Sequence, residues 1–175
     1  GHFMNAMIEK TSDTGFSAPL FVQEMAGYLL DTRIREQQKA VNAGYREKAV
    51  AIKRGLERTI GPYLEEQRGG SAGFYYYLTF RDVETHPESP LFKFLTRTTG
   101  DAAIDGPKGN PRPRVIYIPG EYCVDPRGDL AERGKRQFRL SYGFEEVPGI
   151  LRALELMREG VEYVKHGAVL AGSAR

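Results

Sequence analysis

Gln137-Phe138-Arg139-Leu140-Ser141-Tyr142-Gly143, followed at once by Glu145-Glu146 and an amphipathic segment, is the stretch on which the fold turns. Alternation at a period of two puts Phe138 and Leu140 on one face of a predicted strand and Arg139 on the other. A guanidinium placed there stands on a rigid element, with its donors directed away from the core. That arrangement suits two-point capture of a carboxylate. Arg139 also has a plainer reading as a surface or structural arginine, since most charged residues are exposed. The elements around it, not the arginine alone, separate the two.

Downstream, the pattern predicts a helix from about Glu145 to Lys165 that buries Val147, Ile150, Leu151, Leu154, Val161 and Val164. Glu145 and Glu146 suit its positive N-terminal end. Upstream, Val115-Ile116-Tyr117-Ile118 reads as a short strand stopped by Pro119-Gly120, and residues 125–135 read as a charged loop. Residues 99–113, rich in Gly, Pro, Asp and Asn, read as a mobile loop. Pro90 to about Thr98 gives a short helix with Leu91, Phe94 and Leu95 on one face. Phe74–Phe80 is an aromatic strand. From Arg33 to about Ile60, Val41, Tyr45, Ala49, Ile52, Leu56 and Ile60 recur at three- and four-residue steps, the mark of a long amphipathic helix. Its other face mixes Arg46, Glu47, Lys48, Arg54, Glu57 and Arg58, as a solvated surface does. Ser17-Ala18-Pro19 is a helix start with Phe21, Met25 and Leu29 on one face behind it.

The expected fold class is α+β, with a small mixed sheet of about three strands covered on one face by helices and preceded by the long amphipathic helix. The expected divisions are a tag-like, flexible N-terminus at 1–10, connecting helices at 11–68, a small C-terminal domain at 69–166 and a frayed tail at 167–175. Gly1-His2-Phe3 ahead of Met4 reads as a cloning remnant.

Composition narrows the function. A hydrophobic content of 41% allows a real core, and a formal net charge of +2 demands neither nucleic acid nor an acidic membrane. No apolar run approaches the ~18 residues of a membrane-crossing helix. The single cysteine, Cys123, leaves no internal disulfide and favours a reducing, cytoplasmic setting. Cys123 reads as a small buried or half-buried residue, with no base identified to activate it. His86 and His166 show no metal-ligand spacing with it, so no metal site is expected. Val50-Ala51-Ile52-Lys53 spells a kinase motif by chance, because it lies mid-helix without the accompanying signatures. Gly69-Gly70-Ser71-Ala72-Gly73 precedes a strand and reads as a flexible turn, whereas a phosphate loop opens a helix. Tyr75, Tyr76 and Tyr77 alternate faces and read as packing residues.

Taken in order, four landmarks resemble the second half of a fold-type-I aminotransferase dependent on pyridoxal 5'-phosphate (PLP). They are Gly15-Phe16-Ser17-Ala18-Pro19, Gly73-Phe74-Tyr75-Tyr76-Tyr77-Leu78, Ile118-Pro119-Gly120-Glu121-Tyr122 and Phe138-Arg139-Leu140-Ser141-Tyr142. The resemblance covers about residues 11 to 166 and implies the following. The chain is the C-terminal part of a longer, homodimeric parent that moves an amino group between an amino acid and a 2-oxo acid. Arg139 binds the substrate α-carboxylate. PLP is bound by the parent chain and not by this fragment, which carries no catalytic or cofactor-binding residue of its own. Of Lys10, Lys39, Lys48, Lys53, Lys93, Lys108, Lys135 and Lys165, none follows a serine by three, as the family's cofactor lysine does. The fragment alone is therefore expected to be inactive, with no nucleic-acid or membrane partner. The connection at 99–113 is longer than the family's; it either adjusts substrate choice or is an inert insertion. Three alternatives stay open: a PLP-dependent lyase or acyl transferase of the same fold, the effector domain of an aminotransferase-like transcription regulator, and a stand-alone, non-enzymatic binding domain.

Overall fold

The computed structural model describes residues 1–13 and 19–173, which divide into two compact units, Gly1–Ala43 and Gly44–Arg175. The first unit holds helix α1 (His2–Asp13), helix α2 (Leu20–Thr32) and the start of helix α3 (Ile34–Arg58). Residues 2–10 are thus helical where the sequence suggests a flexible terminus. They contain no proline or glycine to interrupt a helix, and Ala6, Met7, Glu9 and Lys10 are good helix formers. Phe21, Met25 and Leu29 share one face of α2 as their spacing predicts, yet none is buried; they are 75%, 46% and 48% exposed. Gly15–Ala18, and with them the expected Ser17 cap and most of the first landmark, lie outside the described residues.

In the second unit, Ala49, Ile52 and Leu56 of α3 and Ile60 beyond it are buried as the helical spacing demands. They cover one face of a four-stranded sheet made of β1 (Leu64–Gly69), β2 (Tyr75–Phe80), β3 (Ile118–Pro119) and β4 (Gln137–Ser141), in the order β1-β2-β4-β3. The α+β class stands, with two corrections to the sheet. Every pairing is antiparallel, so the sheet is not mixed. A fourth strand, β1, pairs with β2, which places residues 64–68 in the sheet and not among the connecting helices. Leu-Glu-Glu-Gln-Arg-Gly has no β-branched or aromatic residue to announce a strand, and a register shift between Leu64 and Glu66 breaks its alternation. The strand expected at 115–118 shrinks to two residues. The Val115 amide donates to Leu95 O (3.0 Å) instead of joining the sheet, and Pro119, read as a terminator, pairs with Phe138. Proline is tolerated there because β3 is an edge strand.

Helices α4 (Pro90–Thr96) and α7 (Val147–Ser173) complete the covering layer. The Ser89 hydroxyl accepts from the Phe92 amide (3.2 Å), Pro90 opens α4, and Arg97 closes it in the left-handed conformation at φ 60°. Leu91, Phe94 and Leu95 are buried, as their spacing predicts. Close approach depends on two glycines: a Cβ on Gly55 would stand 2.8 Å from Leu151 and Leu154 of α7, and one on Gly160 would stand 2.9 Å from Leu91 of α4. Helix α7 starts at Val147 and continues past Lys165 to Ser173, where the sequence suggests a frayed tail.

Two expected loops carry short helices, α5 (Ala102–Asp105) and α6 (Ala131–Gly134). The segment 99–113, expected as a mobile loop, carries α5 and internal hydrogen bonds in its first part. The Asp105 carboxylate accepts from the Thr99 amide (3.1 Å), the Thr99 hydroxyl (2.9 Å) and the Gly100 amide (2.8 Å), and Asp101 caps α5. Glycine and proline set the turns in this segment, but carboxylate capture of backbone donors fixes them in place. No helix among the described residues is long and apolar enough to cross a membrane.

Candidate functional site: the open face of the sheet

On β4, Phe138 is fully buried and Leu140 is 7% exposed, both on the covered face, while Arg139 between them lies half-buried on the open face. Its register partners are Tyr77 on β2 and Ile118 on β3, so it stands in the interior of the sheet with a strand on either side. The sequence expectation of a guanidinium clear of the core is met in direction but incomplete in surroundings. The guanidinium carbon lies 4.5 Å from the ring centre of Tyr75, the diagonal neighbour across the β2–β4 ladder. The Arg139 Nε–H is buried and has no hydrogen-bond partner, and among the described residues no carboxylate pairs with this guanidinium.

Beside Arg139 lies a cavity of about 400 Å³ whose polar lining includes Glu66, Arg68, Tyr77, Arg133 and Gln137. Its other arginines are already engaged. Glu66 bonds Arg68 (2.6 Å) and Arg133 (3.0 Å), and Glu65 bonds Arg133 (3.0 Å) and Arg136 (2.9 Å). These pairs are partly exposed and contribute little stability each, and they leave the Arg133 Nε–H, like that of Arg139, buried without a hydrogen-bond partner. Tyr77 donates to Gln137 Oε1 (3.0 Å), and Gln137 Nε2 donates to the Thr79 hydroxyl (3.2 Å). Burial pushes the Tyr77 hydroxyl above its ordinary range, with a smaller contribution from nearby Cys123. Tyr77 is thus a neutral hydrogen-bond donor near neutral pH.

Several expected positions fall elsewhere. Cys123 lines the cavity but is exposed, not buried or half-buried as its residue type suggests. It sits on a short 3-10 turn at the sheet margin, which leaves its side open. His86 pairs with Glu84 (3.0 Å) and does not line the cavity. No residue of 99–113 lines it either. From sequence, Tyr75 reads only as a packing residue, and nothing marks Glu66, Arg68 or Arg133. Tyr75 was within reach, because the alternation of Tyr75, Tyr76 and Tyr77 places it on Arg139's face. Arg133 and Glu66 left no such signal, since a charged loop and an unrecognised strand bring them together.

The residues around Arg139 do not fit PLP. No lysine lines the cavity, and Lys48, Lys93, Lys135 and Lys165 are engaged with Glu146, Glu88, Glu132 and Asp82. What the face offers is a guanidinium over a tyrosine ring, without a carboxylate partner among the described residues.

No family model matches this sequence, and no curated protein does. Among solved structures the fold is similar to LysN, an α-aminoadipate aminotransferase from Thermus thermophilus complexed with N-(5'-phosphopyridoxyl)-L-leucine. The TM-score is 0.68 at 17% identity, over 94% of this chain and 36% of that one. The likeness is one of fold, so the chain has an aminotransferase-like fold and spans about a third of the length of the structure it matches.

Proposed function

We propose that this chain is the C-terminal part of a PLP-dependent aminotransferase, and that Arg139 holds the α-carboxylate of the amino acid or 2-oxo acid. The observation that carries this reading is a half-buried guanidinium on the open sheet face that stacks on Tyr75 and lacks an acidic partner among the described residues. Arg68 and Arg133 of the same cavity are each paired with Glu65 or Glu66, whereas Arg139 has no carboxylate partner among the described residues and so is the one we expect an incoming carboxylate to engage. PLP supplies the electron sink when bound, and the groups that hold it belong to the rest of a longer, homodimeric, cytoplasmic parent. This chain's share is orientation. A planar fork on a planar carboxylate leaves the substrate little rotational freedom, which is where positioning lowers a barrier. The likeness to LysN, solved with a phosphopyridoxyl-leucine, supports the reading.

The test is Arg139→Lys in the parent chain. Lysine keeps the charge but not the fork, so kcat/KM is expected to fall by more than about tenfold, equivalent to ~1.4 kcal/mol, with cofactor binding retained. A smaller fall removes Arg139 from this role. PLP mixed with the present chain alone is expected to leave no stoichiometric absorbance band after gel filtration. A surviving band would put a cofactor site within these residues and overturn the division of labour.

A further inference from the structure

A continuous series of aromatic rings leads from the core to Arg139. Tyr76 and Tyr142, 2% and 1% exposed, lie 5.8 Å apart between ring centres. Tyr142 meets Tyr45 of α3 edge-on at 6.2 Å, and Tyr45 lies 5.8 Å from Phe74. Phe74 lies 4.2 Å from Tyr75, over whose ring the guanidinium stands at 4.5 Å. The inner end is pinned by hydrogen bonds: Tyr76 OH donates to Ala49 O (3.0 Å), Tyr142 OH to Gly73 O (3.1 Å) and the Tyr142 amide to Phe74 O (2.9 Å). Gly143 leaves room for Phe74, since a Cβ there would stand 3.1 Å from its ring.

We infer that Tyr75 is a positioning residue that sets the plane of the Arg139 fork, and that Phe74 and Tyr45 hold Tyr75 in place. This rests on the carboxylate reading of Arg139. The physical argument is a contrast within one cavity. Arg68 is fixed by Glu66, which takes up its Nε–H (2.7 Å) and one terminal nitrogen (2.6 Å). A guanidinium fixed that way has spent its fork. Arg139 instead stands with its guanidinium carbon 4.5 Å from the centre of the Tyr75 ring, a contact that takes up no carboxylate. The ring contact orders a long side chain whose Nε–H is buried, so that a ligand would meet the terminal N–H groups, which have no carboxylate partner among the described residues. A ring moored to the core through Phe74, Tyr45 and Tyr142 keeps that plane constant, which a lone surface tyrosine would not.

The measurement is the ¹⁵N–¹H spectrum of the arginine Nε–H groups of this chain, with the Arg139 signal assigned through Arg139→Lys. A proton held over a ring face resonates upfield, so Arg139 is expected upfield of the exposed arginines. Tyr75→Phe keeps that position, Tyr75→Leu returns it to the exposed-arginine range, and Tyr45→Leu moves it part of the way. Acetate is the ligand probe. Its titration is expected to move the Arg139 signal in the wild type and in Tyr75→Phe, and to do so about fivefold less tightly in Tyr75→Leu. An Arg139 signal at the exposed position in the wild type overturns the inference without recourse to any variant. Acetate binding at Arg139 that is unchanged by Tyr75→Leu overturns it while leaving the carboxylate reading intact. A ring-shifted Arg139 that ignores acetate removes the carboxylate reading, and the positioning role with it.

Discussion

The two faces of one sheet are built from alternate residues of the same strands, and they do different work. On the covered face, Tyr76, Leu78, Phe80, Phe138 and Leu140 pack under α3, α4 and α7, and Phe80 stacks on Phe138 at 5.0 Å. On the other face, Tyr75, Tyr77, Thr79, Gln137 and Arg139 form a hydrogen-bonded layer with a cavity beside it, buried at its Thr79 and Gln137 end and half-buried at Tyr75, Tyr77 and Arg139. A one-residue shift in either strand would exchange the two sets, so the apolar set fixes the register and the register aims Arg139. The residues that stabilise the fold and those we propose to meet a ligand are thus separable by substitution.

The largest expected effect lies on the covered face. Phe138→Ala removes a fully buried ring and should lower stability by about 3–5 kcal/mol in urea denaturation. A loss near 1 kcal/mol would mean that the covered face is not the main source of stability. The second test is pH. Burial raises the Tyr117 hydroxyl well above its ordinary range, and Tyr76 and Tyr142 also rise, chiefly through burial. An acid raised in the folded state is deprotonated first in the unfolded chain. Its stabilising share is therefore complete below the ordinary tyrosine value of 10.0 and is lost as pH climbs above it. Unfolding followed from neutral pH into that range should show the loss, and Tyr117→Phe should flatten it. An equally steep loss in Tyr117→Phe would assign the alkaline lability to other groups.

Effects should be smaller on the open face. Tyr77→Phe leaves the Gln137 Oε1 without its 3.0 Å donor and should lower stability by about 1 kcal/mol, read in the same denaturation experiment. Arg139→Lys should change stability least, by less than about 1 kcal/mol, because it trades one cation over Tyr75 for another. If Arg139→Lys destabilised as much as Phe138→Ala, the separation of the faces would fail and Arg139 would be a structural residue.

The legible parts of this molecule are those with a strong local period. The alternation at Phe138-Arg139-Leu140 gave the strand and the direction of Arg139, and the three- and four-residue steps of Ala49, Ile52, Leu56 and Ile60 gave the buried face of α3. The apolar triplet of α4 was legible for the same reason. What escaped has no local signature. Strand β1 has no β-branched or aromatic residue to mark it, and its pairing with β2 makes it a strand. The order in 99–113 comes from Asp105 reaching back to Thr99 and Gly100, which composition does not reveal.

Local pattern was enough for the α+β class, the core residues of the helices and the face on which Arg139 stands, because period and burial are properties of neighbouring residues. Packing in three dimensions was needed for the rest: Glu65 and Glu66 pair with Arg68 and Arg133 and not with Arg139, and a line of rings from Tyr45 of α3 runs through Phe74 to the Tyr75 ring beneath its guanidinium. Those contacts join residues far apart in the chain, and long-range pairing is set by how the packed elements meet.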